Sequence, residues 1–239
     1  MLDAFEAVER LLIVAAHPDD LETMCGGTAA LLARRGVQIF SVNCTLGDIG
    51  ASAEAIRQDA SVVRPALAST RLAEAEAAAR ILGVEQTFNL GRHDGELIPN
   101  LALRAQIARL YRITGADTLW TFDPFWPGQI HPDHRAAGQA ALDAYMPAKM
   151  PLYRPEQLQH PNAALSCVER IFLFGTERDP NIFVDITDIY DTKLAAAMAH
   201  ESQFPKGEPD LEWMKERDRR HGEAINVAYA EALLQVEVW

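Results

Sequence analysis

At 239 residues, with 49% hydrophobic and 23% charged residues, the chain has the length and composition of a globular protein that can bury a sizeable core. Its formal net charge of −12 opposes non-specific attraction to nucleic acid or anionic membrane. No apolar run approaches the ~20 residues of a membrane span. Met1-Leu2-Asp3-Ala4-Phe5-Glu6 lacks the basic start of a secretory signal. Cys25, Cys44 and Cys167 make neither a CxxC pair nor an even-numbered framework, so a cytoplasmic protein with buried free thiols is expected.

Strand-like and helix-like stretches alternate. Residues 11–15 read as a buried strand, followed by an Ala-rich helix over 27–35 that stops at Gly36. A second strand spans 37–44, a long Ala/Glu/Arg helix spans 70–82 before Gly83, and 86–90 is a third strand. An amphipathic helix over 101–113, a fourth strand over 118–122 and a helix over 135–144 follow. The chain then turns Pro-rich, and an excursion at about 146–161 is expected to shape substrate selectivity. Residues 170–174 and 182–184 read as a β pair, 187–200 as a helix and 211–234 as mostly helical. The βαβα order predicts an α/β fold, a Rossmann-like layer sandwich whose mostly parallel sheet carries helices on both faces.

The most informative stretch is Ala15-Ala16-His17-Pro18-Asp19-Asp20, which puts an imidazole and two carboxylates at the end of the first strand. His131-Pro132-Asp133-His134 repeats the chemistry after the fourth. Open α/β sheets bind ligands at such strand ends, and a catalytic metal takes three N/O ligands while leaving a place for water. His17 and Asp20, three apart, can converge in one turn, which leaves Asp19 beside that water. In the second loop one histidine can ligate while the other faces substrate. A metal lowers the pKa of its water from ~16 toward ~7, a neighbouring carboxylate takes the proton, and a protonated histidine stabilises the oxyanion. Asp133 is expected to orient His131 and raise its pKa. Together these parts suit hydrolysis of an amide. A lone His-Pro-Asp is more often a turn with a capping aspartate, but two at two strand ends point to a metal.

These motifs resemble those of the LmbE-like, or PIG-L, zinc de-N-acetylases. Glu22 and Gly26-Gly27 after the first loop belong to the same pattern, as do Cys44 to Gly50, Arg71 with Glu74, His200-Glu201-Ser202-Gln203 and Tyr229-Ala230-Glu231. The likeness runs from about residue 11 to 234 and implies a single deacetylase domain over 1–239. It implies that His17, Asp20 and His134 bind Zn²⁺ or another divalent transition metal. Asp19 is then the general base, His131 the proton-donating electrophile, Asp133 its support, and Arg71 and Asp94 the contacts to sugar hydroxyls. The chain departs from the family pattern at Leu21, Asp48 and Gln129-Ile130, where relatives carry Glu, Glu and an aromatic hydroxyl.

The leading expectation is therefore removal of an N-acetyl group from a small N-acetylglucosamine-containing conjugate, with a homo-oligomer possible. A zinc-dependent hydratase or lyase acting on an unsaturated carboxylic acid is the alternative on the same scaffold. A non-catalytic sugar-binding module ranks below both. His160 and His221 are expected at the surface and His200 in helix packing. Arg71 is expected to meet either substrate or the nearby Glu74 or Glu76, and Trp126 to stack on a sugar or brace its loop.

Overall fold

The computed structural model describes residues 2–51 and 57–238. Strands β1 (Arg10–Ala15), β2 (Gln38–Thr45), β3 (Gln86–Arg92), β4 (Thr118–Phe122), β5 (Arg170–Phe174), β6 (Ile182–Asp185) and β7 (Ala230–Val236) form one sheet in the order β3-β2-β1-β4-β5-β7-β6. The first five are parallel, and β7 runs antiparallel to both neighbours. Parallel neighbours require crossovers, which α1 (Asp20–Arg34), α2 (Ala60–Leu82), α3 (Leu101–Thr114) and α4 (Pro132–Lys149) supply. Helices α1 and α2 pack with α5 (Tyr190–Met198), whereas α3 packs with α4. Helix α6 (Glu212–Glu223) lies against β7.

Chain order explains where a site can form. From β1 the chain crosses to β2, and from β4 it crosses the other way to β5. The loops leaving adjacent β1 and β4 therefore diverge and open a crevice at their carboxyl ends. Both strands are buried along their length apart from Arg10, so they hold those loops on a rigid base. None of the helices described is long and apolar enough to cross a membrane.

The C-terminal third corrects three expectations. Residues 211–234 are not mostly helical, because 230–236 form β7. Strands β5 and β6 do not pair with each other, since β7 lies between them. Ala230-Glu231-Ala232-Leu233-Leu234 carries good helix formers, so burial between two strands overrides local propensity here. Cys167 is exposed, unlike Cys25 and Cys44.

The Pro-rich excursion is anchored far from the crevice. Buried Arg112, at the end of α3, donates to the carbonyls of Pro147, Ala148, Met150 and Arg154 and to Gln157 Oε1. The carbonyl end of a helix carries partial negative charge, so a cation suits it. This anchoring holds 146–161 at the amino-terminal end of the sheet, where His160 and Asn162 share a cavity with Arg10 and Gln86, the first residues of β1 and β3. The excursion thus lies at the end of the sheet opposite the crevice.

Glu231, on β7, ties four elements together. It accepts from the amides of Gly27 and Thr28 and from the Thr28 hydroxyl, and its Oε1 lies 2.7 Å from Lys193 Nζ, which also binds Asp218. Helix α1 is kinked at Cys25 (φ −144°, ψ 19°), and the amides of Gly27 and Thr28 just beyond the kink are the two that reach Glu231. Removing one member of a buried ion network typically costs about 3–5 kcal/mol. Glu231→Gln is expected to lower unfolding stability by about that amount in urea titrations. A change below ~0.5 kcal/mol, the scatter of ordinary surface substitutions, would show that the network is dispensable.

Candidate metal centre

Asp19 occupies the N-cap position of α1, yet its side chain makes no capping bond. Its backbone is left-handed (φ 115°, ψ −18°), a conformation that costs a non-glycine residue about 1–3 kcal/mol and clusters at functional sites. Arg71, reaching across from α2, holds it there. One Nη2 binds both the Pro18 carbonyl at 2.6 Å and Asp19 Oδ2 at 2.9 Å, while Nη1 binds the Gly47 carbonyl at 2.9 Å. A Cβ on Gly47 would stand 2.3 Å from that guanidinium, so glycine is required for the approach. The capping-turn reading of the first motif therefore fails on geometry.

Asp20 folds the same loop from inside. Its Oδ2 accepts from the amides of Ala16 (3.0 Å) and His17 (2.7 Å). The motifs then meet: His134 Nε2 lies 3.2 Å from His17 Nδ1 and 3.2 Å from Asp20 Oδ1, and His17 Nδ1 lies 3.4 Å from Asp20 Oδ2. Metal–N/O bonds of ~2.0–2.1 Å in a tetrahedron place ligand atoms about 3.3–3.4 Å apart, so the edges from His134 Nε2 to His17 Nδ1 and to Asp20 Oδ1 have the right length, while His17 Nδ1 meets the other Asp20 oxygen.

Hydrogen bonding fixes which nitrogens are free. His134 Nδ1 faces Gln129 Oε1 at 3.1 Å, an acceptor, so it carries the proton and leaves Nε2 with its lone pair. His17 Nε2 faces Asp94 Oδ1 at 3.0 Å and Asp133 Oδ2 at 3.4 Å, so it too is the protonated nitrogen. Two imidazole lone pairs then confront each other beside an aspartate, an arrangement that only a cation or an added proton makes favourable. Carboxylates behind a ligand histidine are also what tunes such ligands.

The electrostatics agree. Burial disfavours a charged His17, but the charge of Asp20 and hydrogen bonds to Asp133, Asp20 and Asp94 outweigh it and push its pKa up to about 12. Burial likewise opposes ionisation of Asp20, yet His134 and His17 hold its carboxyl well below the usual range. Asp19 rises to about 6, chiefly by burial, with Arg71 opposing. The pocket is rich in carboxylate and poor in positive charge, which suits a cation.

Two groupings of described residues bring one ligand atom from each member within 4.8 Å of one another: His17 with His131 and His134, and His17 with Asp94 and Asp133. His131 fits poorly as a ligand. It caps α4, its Nδ1 accepting from the Asp133 amide at 3.2 Å, so its proton sits on Nε2 and makes that nitrogen a donor. In the second grouping Asp133 is also engaged elsewhere, accepting from the amides of Gly95 (2.6 Å) and Leu97 (3.2 Å), and His17 offers only the nitrogen that carries its proton.

Several expected roles change. Asp133 does not orient His131 with its carboxylate; it faces His17. Burial, with His134 and His17 next, lowers the His131 pKa, so the neutral imidazole is favoured over the expected imidazolium. Arg71 pairs with Asp19 and not with Glu74, which instead accepts from Ser202. Both Arg71 and Asp94 line the cleft; Nη2 of Arg71 is taken by Pro18 and Asp19, and Nη1 makes one bond, to the Gly47 carbonyl. His221 is buried beside Glu177 rather than at the surface, and His200 is fully buried 3.4 Å from Glu22. Gln129, which orients His134, was missed; it lies five residues before that histidine, in the loop that leads into α4.

A profile of the PIG-L family, described as GlcNAc-PI de-N-acetylase, matches residues 12–145. Diacetylchitobiose deacetylase of Thermococcus kodakarensis is 32% identical over 206 residues, covering 85% of this chain and 73% of that protein. The N,N'-diacetylchitobiose deacetylase from Pyrococcus horikoshii, solved with its inhibitor MPG, superposes with a TM-score of 0.87 at 30% identity, covering 97% of this chain and 85% of that one. The 4-carboxy-2-hydroxymuconate hydratase of Pseudomonas putida KT2440 superposes with a TM-score of 0.79 at 24% identity, covering 97% of both chains. At that identity the hydratase shares the fold alone.

Proposed function

Because the chain belongs to the PIG-L family of de-N-acetylases, we infer that it hydrolyses the N-acetyl amide of a small N-acetylglucosamine-containing substrate around a divalent metal. The observation that supports this most is the pair of facing lone pairs on His17 and His134, with Asp20 completing the triangle and Asp19 left outside it. His17, Asp20 and His134 would hold the metal, and an N₂O donor set suits Zn²⁺ among the divalent ions. When bound, such a metal makes water acidic enough to react near neutral pH and polarises the amide carbonyl.

The chain's own groups do the rest. Asp19, fixed by Arg71, takes the proton of the attacking water. The water oxygen bonds to the acyl carbon, the C–N bond breaks, and acetate and a free amine leave. His131 donates a hydrogen bond from Nε2–H to the developing oxyanion, and Asp19 passes the proton it took from water to the departing nitrogen. Asp94 and Asp133 hold His17 in the tautomer that exposes Nδ1, and Gln129 does the same for Nε2 of His134. Asp94 also meets a sugar hydroxyl with the oxygen not turned to His17.

The hydratase alternative needs cationic side chains to grip substrate carboxylates. Arg71 is the one arginine or lysine among the described residues lining the cleft, and its terminal nitrogens are engaged. The cleft is better suited to a neutral, hydroxyl-rich substrate. A panel of N-acetylated glucosamine derivatives is expected to give chelator-sensitive release of primary amine. Hydration of an unsaturated dicarboxylate without any amine release would overturn the assignment.

A further inference from the structure

A second cavity, of about 240 Å³, adjoins the metal cleft, and Met24, His134 and Trp213 wall both. Met24, Trp126, Trp213 and Ala232 give it an apolar surface. Most polar side chains around it are already engaged by protein, His221 Nδ1 being the buried exception. Gln129 bonds His134 and the Gly175 carbonyl, and the Thr176 hydroxyl donates to Asp123. Glu177 pairs with Arg220 and His221, and Arg217 donates to the Thr23 carbonyl and to Asp218. A sugar entering here would leave water for few new hydrogen bonds, whereas a hydrocarbon chain would forfeit none.

The chemistry of the cleft decides which end of the amide faces this cavity. The acyl carbon must lie at the metal triangle. The nitrogen that leaves must face groups able to carry a proton, and Asp19 and His131 line the cleft but not the second cavity. The sugar therefore stays on the cleft side, and the substituent beyond the carbonyl points past His134 toward Met24 and Trp213. An acetyl methyl, about the size of one water, occupies only ~30 Å³. Most of the second cavity would then lie unused by acetyl.

We propose that the second cavity is an acyl pocket, and that the chain removes linear N-acyl groups of about four to six carbons from glucosamine-type amines. The inference rests on the hydrolase reading above and uses the same reaction: water adds to the acyl carbon, the C–N bond breaks, and a short-chain carboxylate and the free amine are released. Each methylene buried in the pocket is expected to lower KM about fourfold.

The test measures amine release by the metal-replete protein from N-acetyl-, N-butanoyl- and N-hexanoylglucosamine. The expected result is a kcat/KM for the hexanoyl substrate at or above that for acetyl, and a value below it overturns the proposal. Ala232→Leu, which narrows the cavity from β7, is expected to cut the hexanoyl-to-acetyl ratio of kcat/KM at least tenfold, about the effect of one misplaced methylene or more. An unchanged ratio in a folded variant also overturns it. Release from acetyl but not from the longer chains defeats this inference alone, while no release from any of the three defeats the hydrolase reading with it.

Discussion

Replacing Asp19 by asparagine is expected to lower kcat by about 10²- to 10⁴-fold, the usual contribution of a positioned general base, while metal content stays at that of the parent protein. The two halves of that result follow from separate observations. Asp19 bonds Arg71 and stands outside the contacts that join His17, Asp20 and His134, so its loss removes no ligand. It nevertheless lines the cleft beside them, where the attacking water must give up its proton. Asparagine keeps the volume and can still accept from Arg71, so the buried guanidinium is not stranded. Steady-state kinetics beside metal analysis of the same preparation checks both halves. Turnover within tenfold of the parent would remove Asp19 from the base role, and loss of metal would place it among the ligands.

Substitution of His134 by alanine is expected to abolish metal retention through gel filtration and to lower turnover on the order of 10³-fold or more, because a three-ligand site reduced to two no longer fixes an open catalytic position. The contrast with Gln129→Ala is informative. Gln129 touches the metal site only through His134 Nδ1, and loss of a partner behind a ligand typically weakens metal binding about 10- to 100-fold. That variant is expected to recover activity when metal is added in excess, and His134→Ala is not. Equal behaviour of the two would mean that His134 is not a ligand.

The metal residues could be read from sequence because each motif is short and stands at a strand end. His17 and Asp20 lie in one turn, and His134 opens α4 directly after the loop from β4. Asp133 shows where that local reasoning stops. Nearness in sequence to His131 suggested a pair, but residues two apart on a helix point about 200° apart, and only residues three or four apart share a face. The carboxylate of Asp133 is therefore carried away from His131 and into His17, 116 residues earlier. Arg71 and Asp19 are 52 residues apart, and only the packing of α2 on α1 joins them.

The same limit explains the C-terminal third. Ala230–Val236 has the residue types of a helix and becomes a strand because β5 and β6 supply hydrogen-bonding partners on both sides. The end of the molecule on which the Pro-rich excursion lies was equally hidden. It is decided by Arg112, a residue of α3 whose partners are carbonyls of the next helix and the turns beyond it.

The most direct measurement is a crystal of the zinc-loaded protein with anomalous diffraction recorded at the zinc edge. One zinc is expected about 2.0–2.2 Å from His17 Nδ1, an Asp20 oxygen and His134 Nε2, with Asp19 and His131 facing it from outside the coordination shell. Zinc held by His131, or lodged between Asp94 and Asp133 behind His17, would contradict the assignment of the centre and of every role derived from it.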